Sequence, residues 1–322
     1  MGFRLVPDKT DIKFMKGRFA GLIVSAVLSI ASILLFFYPG LNYGIDFKGG
    51  IVMEVRFKQA ADFPALRQML GGDLKLGEVA LQEFGSPQDV LIRLERQPGE
   101  DDAQEKAAQL VRTELGKAYA GTEVRRVEVV GAKVSAELFK DGLIAVSLGL
   151  IGIAIYIWFR FEWMFSVGAL VTLLLDITKT IGFFAVTQLP FTLTGVAAIL
   201  TIIGYSVNDK VVVFDRMREN LRKYKAMPLR ELIDLSINET LSRTVMTSMT
   251  TFLAMIPLAF LGGEAVEVFA LAMLFGIVVG TSSSIFIAAP LVLLLGEKGL
   301  RRTRSDEEGA TKNAVAKKAT AP

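Results

Sequence analysis

One apolar stretch of the chain carries ionisable side chains inside it. Residues 199–214 are largely hydrophobic, yet they contain Asn208, Asp209 and Lys210. A charged group at the centre of a membrane helix costs about 2.5–3.5 kcal/mol even on lenient scales, so such groups usually have a function. The alternative is that a neighbouring helix neutralises Asp209 to fix packing. The charged run 215–220 predicts that the helix leaves the membrane there.

Two other apolar segments contain polar groups that could act with Asp209. Asp176 and Lys179 lie three residues apart on one helical face, so they can pair locally or serve a function. Tyr205 lies one turn before Asp209 on the same face. A polar stripe marks the start of the later segment: Thr240, Arg243, Thr247 and Thr250.

The helical rise predicts similar depths for Asp209 and Arg243. Counted from Asp215, Asp209 lies about 9 Å inside the boundary, and counted from Asn238, Arg243 lies at about 7.5 Å. Consecutive spans run antiparallel, so the two charges can face each other. A movement that opens such a pair would bind or release a proton. A surface pair between Arg243 and Glu239 is the alternative.

Composition restricts the chemistry. The chain has 322 residues, of which 52% are hydrophobic, and its mean hydropathy of +0.46 indicates several membrane spans. It has no Cys and no His. Disulfides, thiolate nucleophiles and imidazole ligands are therefore excluded, and we expect no cofactor or metal site. Any proton transfer must use Asp, Glu, Lys or Tyr.

The chain divides into regions of different character, and we predict a six-helix membrane protein with one α+β domain. The predicted regions are a basic amphipathic lead at 1–18, a first transmembrane helix at 19–38, a soluble domain at 39–138, a five-helix region at 139–297 with a loop at 215–242, and a disordered tail at 298–322. The five later spans are predicted at Phe139–Phe159, Met164–Thr187, Thr192–Phe214, Arg243–Leu261 and Val268–Leu295, with a short interfacial helix at Leu229–Leu241.

The soluble region shows the pattern β-α-β-β-α-β, which is typical of a ferredoxin-like fold. Alternating strands are predicted at Ile51–Phe57, Glu78–Phe84, Val90–Leu94 and Glu123–Val130, and helices at Asp62–Leu70 and Asp101–Ala118. We interpret this domain as an interaction module. Lys and Arg are concentrated at the N-terminus, in the loop after residue 215 and in the tail, so both termini are predicted in the cytoplasm and the domain outside.

Three motifs resemble the SecF family. They are Gly44-Ile-Asp-Phe-Lys-Gly-Gly50 after the first span, Ala197–Asn220 in the fourth span and Ile237–Thr251 in the fifth. The resemblance assigns the family signature to Gly44, Asp46, Gly49, Gly50, Asp215 and Arg216. It places the family's intramembrane Asp at Asp209 and its Arg at Arg243. With the polar positions noted above, the predicted proton-coupling residues are Asp209, Arg243, Tyr205, Asn208 and Asp176.

One position departs from the family pattern. Lys210 follows Asp209 where Thr is common, and it points about 100° away around the helix, so direct pairing of the two is not expected.

The resemblance implies a subunit of the protein-export machinery, not an enzyme, in the bacterial cytoplasmic (inner) membrane. It would pair with a SecD-type protein in a twelve-span assembly related to the RND superfamily. Its further expected partners are the SecYEG channel, YajC, the translocating polypeptide and protons, with no nucleic acid. One alternative is half of an RND-type exporter of small molecules or lipids, which would also need its other half. A remote one is an intramembrane aspartyl protease using Asp176 and Asp209, which lacks that class's sequence motifs.

Overall fold

The computed structural model describes residue 7 and residues 10–84, 86–99 and 101–296, which form two compact units. The helical unit combines Ser147–Leu189 with the residues up to Leu41 and those from Ala197 onward. The sheet unit combines Asn42–Val146 with Pro190–Val196. It therefore extends beyond the predicted domain end at 138. The predicted tail at 298–322 lies outside the described residues.

Six helices in the described part of the chain are long and apolar enough to cross a membrane. Within the described ranges the α-helices are α1 (Arg18–Phe37), α2 (Ile45–Lys48), α3 (Phe63–Arg67), α4 (Asp101–Ala118), α5 (Ala132–Arg160), α6 (Trp163–Thr187), α7 (Leu193–Lys223), α8 (Leu229–Leu261) and α9 (Glu264–Ser283). The prediction of a six-span membrane protein is confirmed.

The segment before α1 packs against α8. A 3₁₀ turn at Phe14–Gly17 leads into α1. The backbone N–H of Ile12 donates to Asn238 Oδ1 at 3.0 Å, and Asn238 Nδ2 donates back to the Ile12 carbonyl at 2.9 Å. The N–H of Met15 donates to Asp234 Oδ1 at 2.8 Å. This part of the predicted amphipathic lead is therefore tied to α8 by hydrogen bonds.

The prediction of a loop at 215–242 is wrong. Helix α7 continues through the charged run to Lys223, and α8 begins at Leu229, so only residues 224–228 connect them. Residues 216–223 consist mostly of Arg, Lys, Met, Glu and Leu, which are good helix formers. The separate interfacial helix at Leu229–Leu241 is also wrong, because α8 runs without a break to Leu261.

The last span changes its winding near its middle. Helix α9 ends at Ser283, and Ser284–Ala288 form a π-helical turn. Helical structure then resumes and the apolar span ends at Gly296. A π-helical turn inserts one extra residue per turn and often marks a functional position in a helix.

The sheet unit contains a four-stranded antiparallel sheet with the order β2-β3-β1-β4. Its strands are β1 (Gly50–Arg56), β2 (Val79–Phe84), β3 (Ser86–Leu94) and β4 (Glu123–Val130). This order, with α3 after β1 and α4 after β3, confirms the ferredoxin-like prediction. Alternate residues of β1, namely Ile51, Met53 and Val55, are fully buried and pack with α4 residues such as Val111.

Candidate functional site among the buried charges

Asp209 lies near the middle of α7 and is 6% exposed. Two hydroxyl groups donate to its carboxylate: Thr244 Oγ1 of α8 to Oδ1 at 2.8 Å, and Ser284 Oγ to Oδ2 at 2.7 Å. A hydroxyl can donate or accept, so these neighbours can bond to the ionised carboxylate and to the protonated acid. The site can therefore hold Asp209 in both protonation states.

Ser284 is the first residue of the π-helical turn, and Ser283 is the last residue of α9. These two serines donate to different carboxylates. Ser284 Oγ donates to Asp209, whereas Ser283 Oγ donates to Asp176 Oδ2 at 2.7 Å. The change of winding therefore lies where one helix contacts both buried acids.

Arg243 does not contact Asp209 as the sequence analysis predicts. Its side chain is exposed, and the next residue, Thr244, makes the contact instead. The alternative pair of Arg243 with Glu239 is not formed among the described residues either. Glu239 Oε2 binds Arg216 Nε and Asn220 Nδ2, each at 2.7 Å. Both predicted pairings are corrected on this evidence.

Tyr205 begins a chain of hydroxyl groups one turn before Asp209. Its OH donates to Ser248 Oγ at 3.1 Å, and Ser248 Oγ lies 2.7 Å from Thr281 Oγ1. This chain connects α7, α8 and α9. Asn208 is exposed and makes none of these hydrogen bonds. The predicted stripe of Thr240, Arg243, Thr247 and Thr250 contributes no direct contact to the Asp209 carboxylate among the described residues.

Asp176 lies in the middle of α6 and is fully buried. Lys210 Nζ lies 2.9 Å from its Oδ2, and the same oxygen accepts from Ser206 Oγ and Ser283 Oγ, each at 2.7 Å. Lys210 also hydrogen-bonds to Ser206 Oγ. Lys210 is therefore the close partner of Asp176, and it does not pair with Asp209, as expected from its direction around α7.

Lys179 completes this cluster as a more distant neighbour. Its Nζ lies 3.7 Å from Asp176 Oδ1, which is an ion-pair distance and not a hydrogen bond. The predicted local pair of Asp176 with Lys179 is present, but its distance of 3.7 Å is longer than the 2.9 Å between Asp176 and Lys210.

The predicted signature residues Gly44 to Gly50 belong to the sheet unit. Asp46 Oδ2 accepts from the backbone N–H of Leu193 at 2.8 Å. Gly49 and Gly50 have φ angles of +74° and +124°, which side-chain-bearing residues rarely adopt. At Gly50 a Cβ would lie 2.5 Å from the carbonyl oxygen of Leu94 on the neighbouring strand. The double glycine therefore allows β1 to begin directly against β3.

The remaining signature residues, Asp215 and Arg216, form surface ion pairs. Arg160 Nη2 lies 2.6 and 2.7 Å from the two oxygens of Asp215, and Arg216 binds Glu219 at 2.6 Å in addition to Glu239. These contacts hold the ends of α5, α7 and α8 together.

Sequence reasoning missed the neutral ligands of both acids. Thr244, Ser206, Ser283 and Ser284 are ordinary residues in an apolar helix, and many such hydroxyls bond only to their own backbone. Their one signal is position: Ser206 lies four residues before Lys210, and Thr244 follows Arg243. Among the described residues no group of three acidic side chains could hold a metal ion.

These features define the class: a polytopic membrane protein with one ferredoxin-like domain and buried acids in its helical bundle. Residues 111–298 match the family described as protein export membrane protein SecD/SecF, C-terminal, and residues 34–61 match the SecD/SecF GG motif. The chain belongs to this SecD/SecF family. The double glycine at the start of β1 lies within the matched motif.

Named relatives and solved structures agree with this family. The protein translocase subunit SecF of Rickettsia bellii (strain OSU 85-389) is 45% identical over 92% of this chain and 97% of its own length. The protein translocase subunit SecDF of Brucella abortus biovar 1 is also 45% identical over 92% of this chain, but over 38% of its own length. These relatives are translocase subunits, and the chain is a component of protein export and not an enzyme.

The solved structure of SecDF from Thermus thermophilus, described as a translocon-associated membrane protein, aligns with a TM-score of 0.80 at 33% identity. It covers 91% of this chain, and this chain spans 40% of its length. A SecDF structure in a super-membrane-facing form aligns with a TM-score of 0.66 at 32% identity.

Proposed function

We propose that the chain is a SecF-type subunit that uses the proton gradient to drive a late step of polypeptide export. It would act with a SecD-type partner in the bacterial cytoplasmic membrane, beside the SecYEG channel and with YajC as a further candidate partner. Asp209 is the proposed proton-binding residue. The observation that carries this proposal is a buried membrane carboxylate whose two oxygens are bound by hydroxyls of two other helices.

The partner follows from surfaces and lengths. In this chain α8 exposes a cation, Arg243, together with the hydroxyls of Thr247 and Thr250. Charged groups in membrane helices usually face protein or water and not lipid. A SecD-type bundle covering this side of α8 would satisfy that requirement. The SecDF relatives are more than twice as long as this chain, which supports a partner chain that supplies the remaining length.

The orientation rests on charge. The connection and helix ends around residues 216–230 are rich in Arg and Lys, whereas the connections at 188–192 and 262–263 have no Lys or Arg. The positive-inside rule then places both termini in the cytoplasm and the sheet unit outside.

The energy of the gradient is sufficient for such a role. One proton crossing a potential of about 150 mV releases roughly 3.5 kcal/mol. A bias of this size shifts a two-state equilibrium by several hundredfold. Protonation of Asp209 would change which of its hydroxyl contacts donate and which accept, and so favour a different packing of α7 against α8 and the π-helical turn.

The test uses Asp209→Asn, which keeps the size of the side chain and removes its titration. Export into inverted membrane vesicles is measured after ATP-driven initiation is complete, with and without a proton gradient. We expect Asp209→Asn to copurify normally with its partner and to lose the gradient-dependent rate. Asp215→Asn, at an exposed ion pair, is the matched control and should keep most of it. Normal gradient dependence in Asp209→Asn would refute the proposal.

A further inference from the structure

The helical unit contains a second buried cluster, and its formal charges do not balance. Asp176, Lys179 and Lys210 are 0%, 5% and 1% exposed, respectively. With all three ionised, two ammonium groups surround one carboxylate. An uncompensated buried charge is strongly unfavourable, and it is more so inside a membrane. Release of one proton from the cluster removes that net charge.

The contacts identify the lysine that is less able to keep its proton. Lys210 Nζ has an ionic partner in Asp176 and hydroxyl partners in Ser206 and Ser283, the last at 3.2 Å. These groups satisfy all three N–H donors of an ammonium. Lys179 has one ionic neighbour at 3.7 Å and no hydrogen bond from its Nζ within the described residues. The ammonium form of Lys179 is therefore the less stabilised of the two.

The side of α6 that carries Lys179 meets polar atoms of α1. Ser32 packs on Gly182, and Gln188 Nε2 donates to the carbonyl of Gly40 at 3.0 Å, so the two helices run parallel. That register places Ser29 at the level of Lys179. The hydroxyls of Ser25 and Ser29 are buried without a hydrogen-bond partner in the described chain, as is Asp176 Oδ1. The two hydroxyls can accept from an ammonium or donate to an amine, whereas the carboxylate oxygen of Asp176 can only accept.

The two acidic clusters share the same elements at consecutive positions. Helix α7 presents Asp209 to one cluster and Lys210 to the other. The junction of α9 with the π-helical turn presents Ser284 to Asp209 and Ser283 to Asp176. A movement of α7 or of this junction that alters one cluster must therefore alter the other. The ionisable groups around Lys179 are Asp176 on α6 and Lys210 on α7, and Ser283 of α9 contributes a hydroxyl to the same cluster.

We propose that Lys179, together with Asp176 and Lys210, forms a second proton-exchange site that works with Asp209. The Lys179 ammonium gives one proton to water on one side of the membrane and becomes a neutral amine beside the remaining Asp176–Lys210 ion pair. When the cluster opens to water on the other side, the amine takes up one proton there and the ammonium is restored. This inference rests on the proposed use of the proton gradient and adds to it a residue that must both lose and regain a proton.

The test compares variants of Lys179 in the full chain with its partner, in the vesicle export assay. Lys179→Arg keeps a permanent cation, and Lys179→Met keeps the side-chain length without a charge. If Lys179 must exchange a proton, both should reduce the gradient-dependent rate by about a hundredfold, the order of a positioned proton-transfer group. Lys140→Met, at an exposed lysine, is the matched control and should leave the rate unchanged.

A chemical rescue separates proton exchange from packing. The chain has no Cys, so Lys179→Cys can be alkylated with 2-bromoethylamine to restore an amine that is more acidic than that of lysine. We expect the gradient-dependent rate to return, with its pH profile moved to lower pH. Rescue with an unchanged pH profile, or a normal rate in Lys179→Arg, would overturn the inference. If Lys179→Arg or Lys179→Met fails to copurify with the partner, the Lys179→Cys protein before and after alkylation takes its place, and failure of alkylation to restore the rate would overturn the inference.

The same experiment distinguishes this inference from the function on which it rests. If Asp209→Asn blocks gradient-dependent export while Lys179→Arg is normal, only the second site is refuted. If Asp209→Asn is itself normal, the proton-driven function is refuted as well.

Discussion

Gly50→Ala should destabilise the sheet unit more than a glycine replacement usually does. The φ angle of Gly50 is +124°, and backbone strain of this kind costs about 1–3 kcal/mol. The new Cβ would also lie 2.5 Å from the carbonyl oxygen of Leu94. That atom belongs to a paired strand and cannot turn aside, so the pairing of β1 with β3 must shift, at a further cost of about 1–3 kcal/mol. We expect a total loss of about 4 kcal/mol in the free energy of unfolding, the middle of the summed ranges.

Thiol labelling in the full-length protein measures this loss. Because the chain has no Cys, Ala108→Cys places a single thiol on α4, at a position that is 7% exposed in the core of the sheet unit. The thiol reacts with a maleimide when the unit opens. A loss of about 4 kcal/mol raises the open population by about a thousandfold, and the labelling rate rises with it.

Gly116→Ala is the matched control in the same unit. Gly116 lies in the last turn of α4, and a Cβ there meets no atom within 4 Å. Alanine is the better helix former, so stability should rise by up to about 1 kcal/mol. Labelling of Gly50→Ala at the parental rate, or equal effects of the two substitutions, would refute the reasoning about the double glycine.

Three further outcomes are expected. A hydrogen bond from Arg56 holds the pKa of Asp89 at about 2, below its usual value, so the carboxylate stabilises the sheet unit above about pH 4. That contribution, about 1 kcal/mol after solvent screening, should disappear as the pH falls from about 4 through 2, and Asp89→Asn should abolish this step in thermal unfolding followed in detergent. Ser284→Ala should impair gradient-dependent export by about 1.5–3 kcal/mol in activation free energy, whereas Ser282→Ala should not. Lys210→Met should lower the free energy of unfolding by about 1.5–3 kcal/mol, measured by thermal unfolding in detergent, because Asp176 loses its hydrogen-bonded cation and keeps only Lys179 at 3.7 Å.

The fold could be predicted closely because its patterns repeat over many residues. Strands β1 and β4 show alternating polar and apolar residues, and α4 is a long polar helix with one buried face. Such patterns can be recognised in the local sequence alone. The boundaries after residue 214 could not be predicted from apolarity. Charged residues end an apolar run without ending a helix, and here α7 continues through them to Lys223, with Pro228 as the first proline or glycine after residue 214.

The candidate site shows a different limit. The helical rise fixes the level of a residue along the axis and says nothing about its direction around the axis. Arg243 and Thr244 differ in level by about 1.5 Å, yet they point about 100° apart, and only Thr244 faces Asp209. The angle of about 100° between consecutive residues correctly excluded a pair between Lys210 and Asp209. It could not predict the observed partner of Lys210, because Asp176 lies on another helix. Packing of helices that are distant in sequence decides such contacts.

The unbroken course of α8 has a mechanical consequence. From Leu229 to Thr244 the helix contains neither glycine nor proline, and this stretch is about 22 Å long. Near its start it is held by the chain segment before α1, through Asn238 and Asp234. A stiff rod cannot rotate at one end and remain still at the other. A protein that binds the segment before α1 on one side of the membrane can therefore move α8, and with it the Thr244 hydroxyl that binds Asp209.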